Sequence, residues 1–140
     1  GFPGLHRHPY PTCFGCGPDR AEGDGLRISP GPVAGRDVVA SVWTPHPSVA
    51  VDGEVPLEVA WAALDCTGGW AGLGDVEGRF VLGTMRGSVT ARPAPGEPHV
   101  VTGWQHGLEG RKLLCSSSLR TAAGDLLGWS QQTWIRIADE

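Results

Sequence analysis

The sequence predicts an α+β protein in which an antiparallel sheet of about six strands wraps around one long central helix. Three observations lead to this prediction. Residues 53–71 are the only long helical pattern in the chain. Four segments after it alternate between apolar and polar residues, as strands do, and the connections between them are short, which favours antiparallel hairpins. A single helix followed by consecutive strands can bury its apolar surface only against that sheet.

The part of the chain before the helix is the least regular. Residues 1–23 are predicted to be an irregular N-terminal arm, rich in Pro, Gly and His, and residues 24–140 to be a single domain. Short strands are predicted over 26–29 and 37–43, with a turn between them and a loop over 44–54.

The helix is predicted to begin at Pro56, which fits the first helical position. It is expected to end near Gly68 and Gly69, or shortly after Trp70, because paired glycines are poor helix interior. The four later strands are predicted over residues 79–92, 99–108, 112–121 and 126–137.

Composition and charge exclude several classes of function. A net charge of -4 and an isoelectric point near 5.7 argue against nucleic acid or an anionic membrane as a partner. No stretch approaches the roughly 18 apolar residues of a membrane span, and residues 1–11 lack the apolar core of a signal peptide. We therefore expect a cytoplasmic protein. Six tryptophans indicate a packed core despite the 22 glycines and 12 prolines.

Two carboxylates lie on one face of the predicted helix. Glu58 and Asp65 are seven residues apart, which is nearly two turns and about 10 Å along the axis. The neighbours of Asp65 are small or aliphatic, so we expect its side chain to be at least half buried, where chains tend to retain a carboxylate for chemistry. The alternative is a structural carboxylate that caps a loop or pairs with an arginine. Glu58 lies in the first turn, where the helix dipole favours a negative charge.

The N-terminal arm carries a Cys-x-x-Cys pair. Cys13 and Cys16, with His6 and His8 upstream, are residue types that bind zinc, but a second well-formed pair is missing. We therefore predict no metal and a compact turn with two reduced thiols, and keep zinc as the less favoured alternative. The other two cysteines are predicted to be buried thiols.

The order of elements resembles the hotdog fold, and several motifs resemble the small hotdog thioesterases of the phenylacetate-pathway and 4-hydroxybenzoyl-CoA types. Pro56-Leu57-Glu58 stands where that group has His-Gly-Gly, and Ala63-Leu64-Asp65 places an acid where the group has one. The segment 13–18, followed by Gly-Leu-Arg-Ile, is similar to the entry segment of many members. Residues 124–128 are similar to the turn before the last strand, and the resemblance covers roughly residues 13–137.

This resemblance implies an acyl-CoA thioesterase, a hydrolase that needs no cofactor. Asp65 is implied as the nucleophile or general base, with Glu58 as a second acid that either points away or is itself the working acid. Backbone N–H groups around Leu57 and Val59 are implied to polarise the thioester oxygen, because free amides at a helix start favour developing negative charge.

The resemblance also implies where coenzyme A and a second chain bind. Arg111 and Lys112, with Arg79 and Arg86 as weaker candidates, are implied to contact the phosphates of coenzyme A. Hotdog proteins pair their sheets edge to edge, so we expect a homodimer, or a homotetramer built from two dimers.

Two alternative functions remain open from the sequence. One is a non-catalytic hotdog protein that binds acyl thioesters. The other is an acyl-thioester dehydratase or hydratase, because hotdog dehydratases use a loop histidine and a glutamate early in the helix, and His46 and Glu58 occupy similar places here.

Overall fold

In the part of the chain that the structure describes, the protein consists mainly of a six-stranded antiparallel sheet and one long helix. The computed structural model describes residues 1–73 and 77–138. The elements are β1 (Gly31–Pro32), β2 (Val39–Trp43), α1 (Leu57–Leu73), β3 (Arg79–Val89), β4 (His99–Glu109), β5 (Lys112–Thr121) and β6 (Leu126–Ile137). Across the sheet the order is β1-β2-β4-β5-β6-β3. The predicted fold class is confirmed.

The core lies between α1 and the concave face of the sheet. Ala60, Ala63 and Leu64 on the helix are fully buried, as are Val101 on β4 and Leu119 on β5. Their burial supplies most of the packing that holds the helix in place, at about 25 cal/mol for each Å² of apolar surface removed from water.

The helix continues through the glycine pair, which was one of its two predicted end points, and ends three residues after Trp70. It runs to Leu73 because glycine is needed there for close packing against the sheet. A Cβ at Gly68 would lie 2.3 Å from the side chain of Gln132, and one at Gly69 would lie 2.6 Å from the ring of Trp134. Tertiary packing therefore overrides the weak helical propensity of glycine.

The N-terminal half differs from the prediction in three places. Gly31–Pro32 forms the short strand β1 where a turn was predicted. Residues 26–29 do not form a strand, because the backbone N–H groups of Leu26 and Ile28 donate instead to the carbonyls of Phe14 and Gly15, at 2.8 and 3.0 Å. The loop over 44–54 contains a short 3₁₀ turn at Pro47–Val49. The four long strands match their predicted positions to within three residues.

The N-terminal arm packs against α1. The rings of Phe2 and Trp70 meet edge to face at 4.8 Å between centroids, and both residues are buried. A Cβ at Gly15 would lie 2.6 Å from the sulfur of Cys66. Among the described residues, no helix has both the length and the apolar character needed to cross a membrane.

Candidate active site

A buried polar network holds the helical turn that carries Asp65. The carbonyl oxygen of Leu64 accepts hydrogen bonds from Ser117 Oγ and from Gln132 Nε2, each at 2.8 Å. Ser130 Oγ lies 2.6 Å from Ser117 Oγ and accepts from Gln132 Nε2 at 2.9 Å. These bonds run from the neighbouring strands β5 and β6 into the helix, so the sheet fixes the position of the turn.

The sequence analysis did not identify this network. The sequence feature that could have indicated it is the polar run Ser116–Ser118, which lies on a strand that packs against an apolar helix. Buried polar side chains need hydrogen-bond partners, so such a run indicates a polar network. The partner here is a main-chain carbonyl of the helix, which leaves no trace in the sequence.

Asp65 is largely buried and lacks the partner that a structural carboxylate would have. Its Oδ1 atom is inaccessible to solvent and makes no hydrogen bond to any described residue. No ion pair involves it within residues 1–73 and 77–138. Burial, together with a smaller electrostatic contribution from Cys13, raises the pKa of this carboxyl from 3.8 to about 6. The arginine partner considered as an alternative is not found in the described part of the chain.

The start of the helix offers backbone donors about 12 Å from Asp65, at 1.5 Å for each residue. The N–H groups of Leu57 and Glu58 have no hydrogen-bond acceptor within the described ranges. The N–H of Val59 donates to the carbonyl of Pro56 at 3.1 Å, so it is already occupied. The side chain of Glu58 is exposed.

His46 lies in a different place from the helix carboxylates. Its Nδ1 accepts a hydrogen bond from the N–H of Ser48 at 3.1 Å. It lines a shallow cavity of about 250 Å³, and no residue of α1 contributes to that lining. The other lining residues are Glu22, Gly23, Gly25, Leu26, Arg27, Trp43 and Thr44. Glu58 does not line the cavity that His46 lines.

Three of the four basic residues predicted to contact coenzyme A lie at one end of the sheet. Arg111 and Lys112 lie at the start of β5, where Lys112 pairs with Ile135, and Arg79 begins β3 opposite Ile137. All three basic side chains are exposed. Arg136 belongs to the same end, since it pairs with Phe80, and the sequence analysis did not single it out. The fourth predicted cation, Arg86, lies mid-strand over the ring of Trp129.

The cysteines of the arm meet a third cysteine from the helix. The sulfur atoms of Cys13, Cys16 and Cys66 all lie within 4.8 Å of one another. His8 Nε2 is 3.3 Å from the sulfur of Cys16, whereas His6 is exposed and makes no side-chain contact to this group.

No family model and no curated protein sequence matches the chain. Solved structures do match it. A thioesterase superfamily protein aligns at 19% identity and a TM-score of 0.69, over 79% of this chain and 57% of that one. A phenylacetic acid degradation-related putative thioesterase from Ralstonia eutropha aligns at 13% identity and 0.69, over 79% and 85%. A hypothetical thioesterase with coenzyme A from Streptococcus pneumoniae aligns at 9% identity and 0.66, over 74% and 83%.

These comparisons identify the architecture. The chain has the hotdog fold, with one central helix held against a six-stranded antiparallel sheet. Within that fold its structural neighbours are proteins of the thioesterase superfamily, so the resemblance stated from the sequence is confirmed at the level of fold.

Proposed function

We propose that this protein hydrolyses acyl-CoA thioesters with Asp65 as nucleophile or general base. The observation that carries the proposal is the state of this carboxylate: it lies at the middle of the central helix, mostly buried, with Oδ1 unpaired. An unpaired buried carboxylate destabilises the fold, so its retention is best explained by a reaction that uses it.

The position of Asp65 allows it to act either as a general base or as a nucleophile. As a general base, Asp65 takes a proton from water, whose oxygen attacks the thioester carbonyl. As a nucleophile, its oxygen attacks that carbon directly, coenzyme A leaves as the thiol, and water then cleaves the acyl anhydride. In both routes the carbonyl oxygen becomes negatively charged and needs donors.

The distance along α1 favours a site shared between two chains. The free N–H groups of Leu57 and Glu58 are about two turns from Asp65, which is too far for one carbonyl group to contact both ends in a single chain. A second copy related by a twofold axis places its helix start beside Asp65 of the first. The acid and the oxyanion donors then come from different chains.

The sheet offers an edge for such a pairing. β3 is the outermost strand on one side, with 11 residues, whereas the opposite edge is the two-residue β1. Val81 on β3 is 37% exposed. A long edge strand with an exposed apolar side chain is a template for pairing with another chain, so we assign the homodimer interface to β3.

The basic end of the sheet supplies a place for the nucleotide of coenzyme A. Arg79, Arg111 and Lys112 are exposed and near one another in the register, and the arginine side chains suit bidentate contacts to phosphate. The structural neighbour solved with coenzyme A supports the choice of carrier.

The test is release of free thiol from a panel of acyl-CoA esters that differ in chain length and aromatic character. We expect turnover on at least one class. The chain carries four free cysteines, so a blank without substrate is needed for any thiol reagent. Binding of a non-hydrolysable CoA thioether without turnover of any ester would favour the non-catalytic alternative. Hydration of an enoyl-CoA without thiol release would favour the dehydratase alternative with His46 and Glu58.

A further inference from the structure

Three thiols from two separate parts of the chain converge beside the helix. Cys13 and Cys16 come from the N-terminal arm and Cys66 from the middle of α1. The sulfur of Cys13 is 3.5 Å from that of Cys66. Four bonds of about 2.3 Å to a tetrahedral zinc ion place sulfur atoms about 3.8 Å apart. The distance between the sulfurs of Cys13 and Cys66 is therefore close to that of two thiolates on one ion.

The backbone of the arm is folded to hold these sulfurs. The N–H of Gly17 donates to the carbonyl of Cys13 at 2.8 Å, and the N–H of Cys13 donates to the carbonyl of Tyr10 at 3.0 Å. A Cβ at Gly17 would lie 2.5 Å from the backbone of Cys13. The turn that carries Cys13 and Cys16 is therefore tight and is fixed by its own backbone hydrogen bonds.

His8 supports this cluster from outside. Its Nδ1 accepts the N–H of Tyr10 at 2.9 Å, so in the neutral ring the proton is on Nε2, which donates to the sulfur of Cys16 at 3.3 Å. The ring is held edge to face against Trp70 and Phe2, at 5.0 and 6.1 Å between centroids. Residues next to a metal site commonly form hydrogen bonds to the metal ligands and so fix the orientation of those ligands.

We propose that Cys13, Cys16 and Cys66 bind one zinc ion as thiolates, with water at the fourth position and with His8 as a hydrogen-bond donor to Cys16. This inference is independent of the proposed thioesterase activity. The thiols lose their protons to solvent as zinc binds. Sequence spacing favoured no metal because it showed only one cysteine pair, and the third ligand comes from a distant helix. The ion fastens the arm to the helical residue next to Asp65.

The first experiment measures zinc in the full chain, purified without chelators from zinc-supplemented medium. We expect about one equivalent for each chain, and Cys66→Ser should reduce it below a tenth. Cys115→Ser is the matched control, because Cys115 is a buried cysteine that packs with Phe80 and Leu113 away from the cluster. It should retain the full equivalent. His8→Phe keeps the ring packing and should weaken zinc affinity about 10- to 100-fold.

A second measurement needs no variant. Replacement of zinc by Co²⁺ in the wild-type protein should give thiolate-to-cobalt charge-transfer absorption, and removal of the ion by a chelator should lower Tm. The proposal is overturned if the wild-type protein binds neither ion while all four thiols react freely. It is also overturned if its mass shows a disulfide between Cys13 and Cys66, or if Cys66→Ser retains as much zinc as Cys115→Ser.

Discussion

Replacing Asp65 with asparagine should make the protein more stable. The two side chains have nearly the same shape, but asparagine carries no charge into the buried site where Oδ1 has no partner. Burial raises the pKa of the carboxyl from 3.8 to about 6. Two pKa units correspond to about 3 kcal/mol, which is the upper limit of the gain in stability. The amide of asparagine is still a buried polar group without a partner, so the lower limit of the gain is near 1 kcal/mol.

The stability gained by Asp65→Asn depends on pH. The pKa of the folded carboxyl lies above that of the unfolded chain, so ionisation destabilises the folded state. This cost is absent below pH 3.8 and complete above about pH 6. The gain from Asp65→Asn should therefore be largest at pH 8 and smaller at pH 5.

Denaturation at pH 8 and at equal protein concentration is the assay, because the proposed dimerisation would make Tm depend on concentration. We expect Tm to rise by about 3 to 9 °C, at roughly 3 °C for each kcal/mol in a chain of this size. Glu58→Gln is the matched control, since Glu58 is exposed, and it should change stability by less than about 0.5 kcal/mol. A loss of 1 kcal/mol or more in Asp65→Asn would show that the carboxylate has a structural partner and would refute the reasoning.

Three further predictions concern the rest of the site. Gln132→Leu removes one of the two donors to the Leu64 carbonyl and should cost about 1 to 3 kcal/mol in denaturant unfolding; no loss would mean that the Ser117 hydrogen bond and packing hold the turn without Gln132. Arg111→Ala combined with Lys112→Ala should raise KM for acyl-CoA several-fold and leave kcat and the KM for an acyl-pantetheine ester unchanged. A KM that stays the same for both esters would place the nucleotide elsewhere. Val81→Lys on the β3 edge should convert a dimer to a monomer in light scattering and abolish turnover; a wild-type monomer at micromolar concentration would remove the shared site.

The elements that could be predicted from the sequence are those set by local pattern. Strand alternation placed the four long strands within three residues, because side chains on a sheet repeat every two residues. The helix was predicted to end near the glycine pair or shortly after Trp70, and it ends at Leu73. The glycine pair lies inside the helix because the nearby side chains of Gln132 and Trp134 leave no room for a Cβ. Contacts between distant residues decide such positions, and a local pattern does not contain them.

The same limit applies to the candidate site. Asp65 was visible as an acid in an apolar helix, but the free state of its Oδ1 follows from what the arm and sheet place around it. The convergence of Cys66 with the arm cysteines follows from the path of residues 1–30 across the helix. In both cases the chemistry depends on which residues are brought together, while the sequence supplies only their types.

The measurement that tests the central claim most directly is the rate of coenzyme A release by Asp65→Asn, compared with wild type and with Glu58→Gln on the same acyl-CoA. Asparagine can neither take a proton nor attack the thioester, so turnover should fall about a hundredfold or more while acyl-CoA still binds. Glu58→Gln should cost much less. An unchanged rate in Asp65→Asn, together with loss of activity in Glu58→Gln, would contradict the account and move the catalytic acid to the start of the helix.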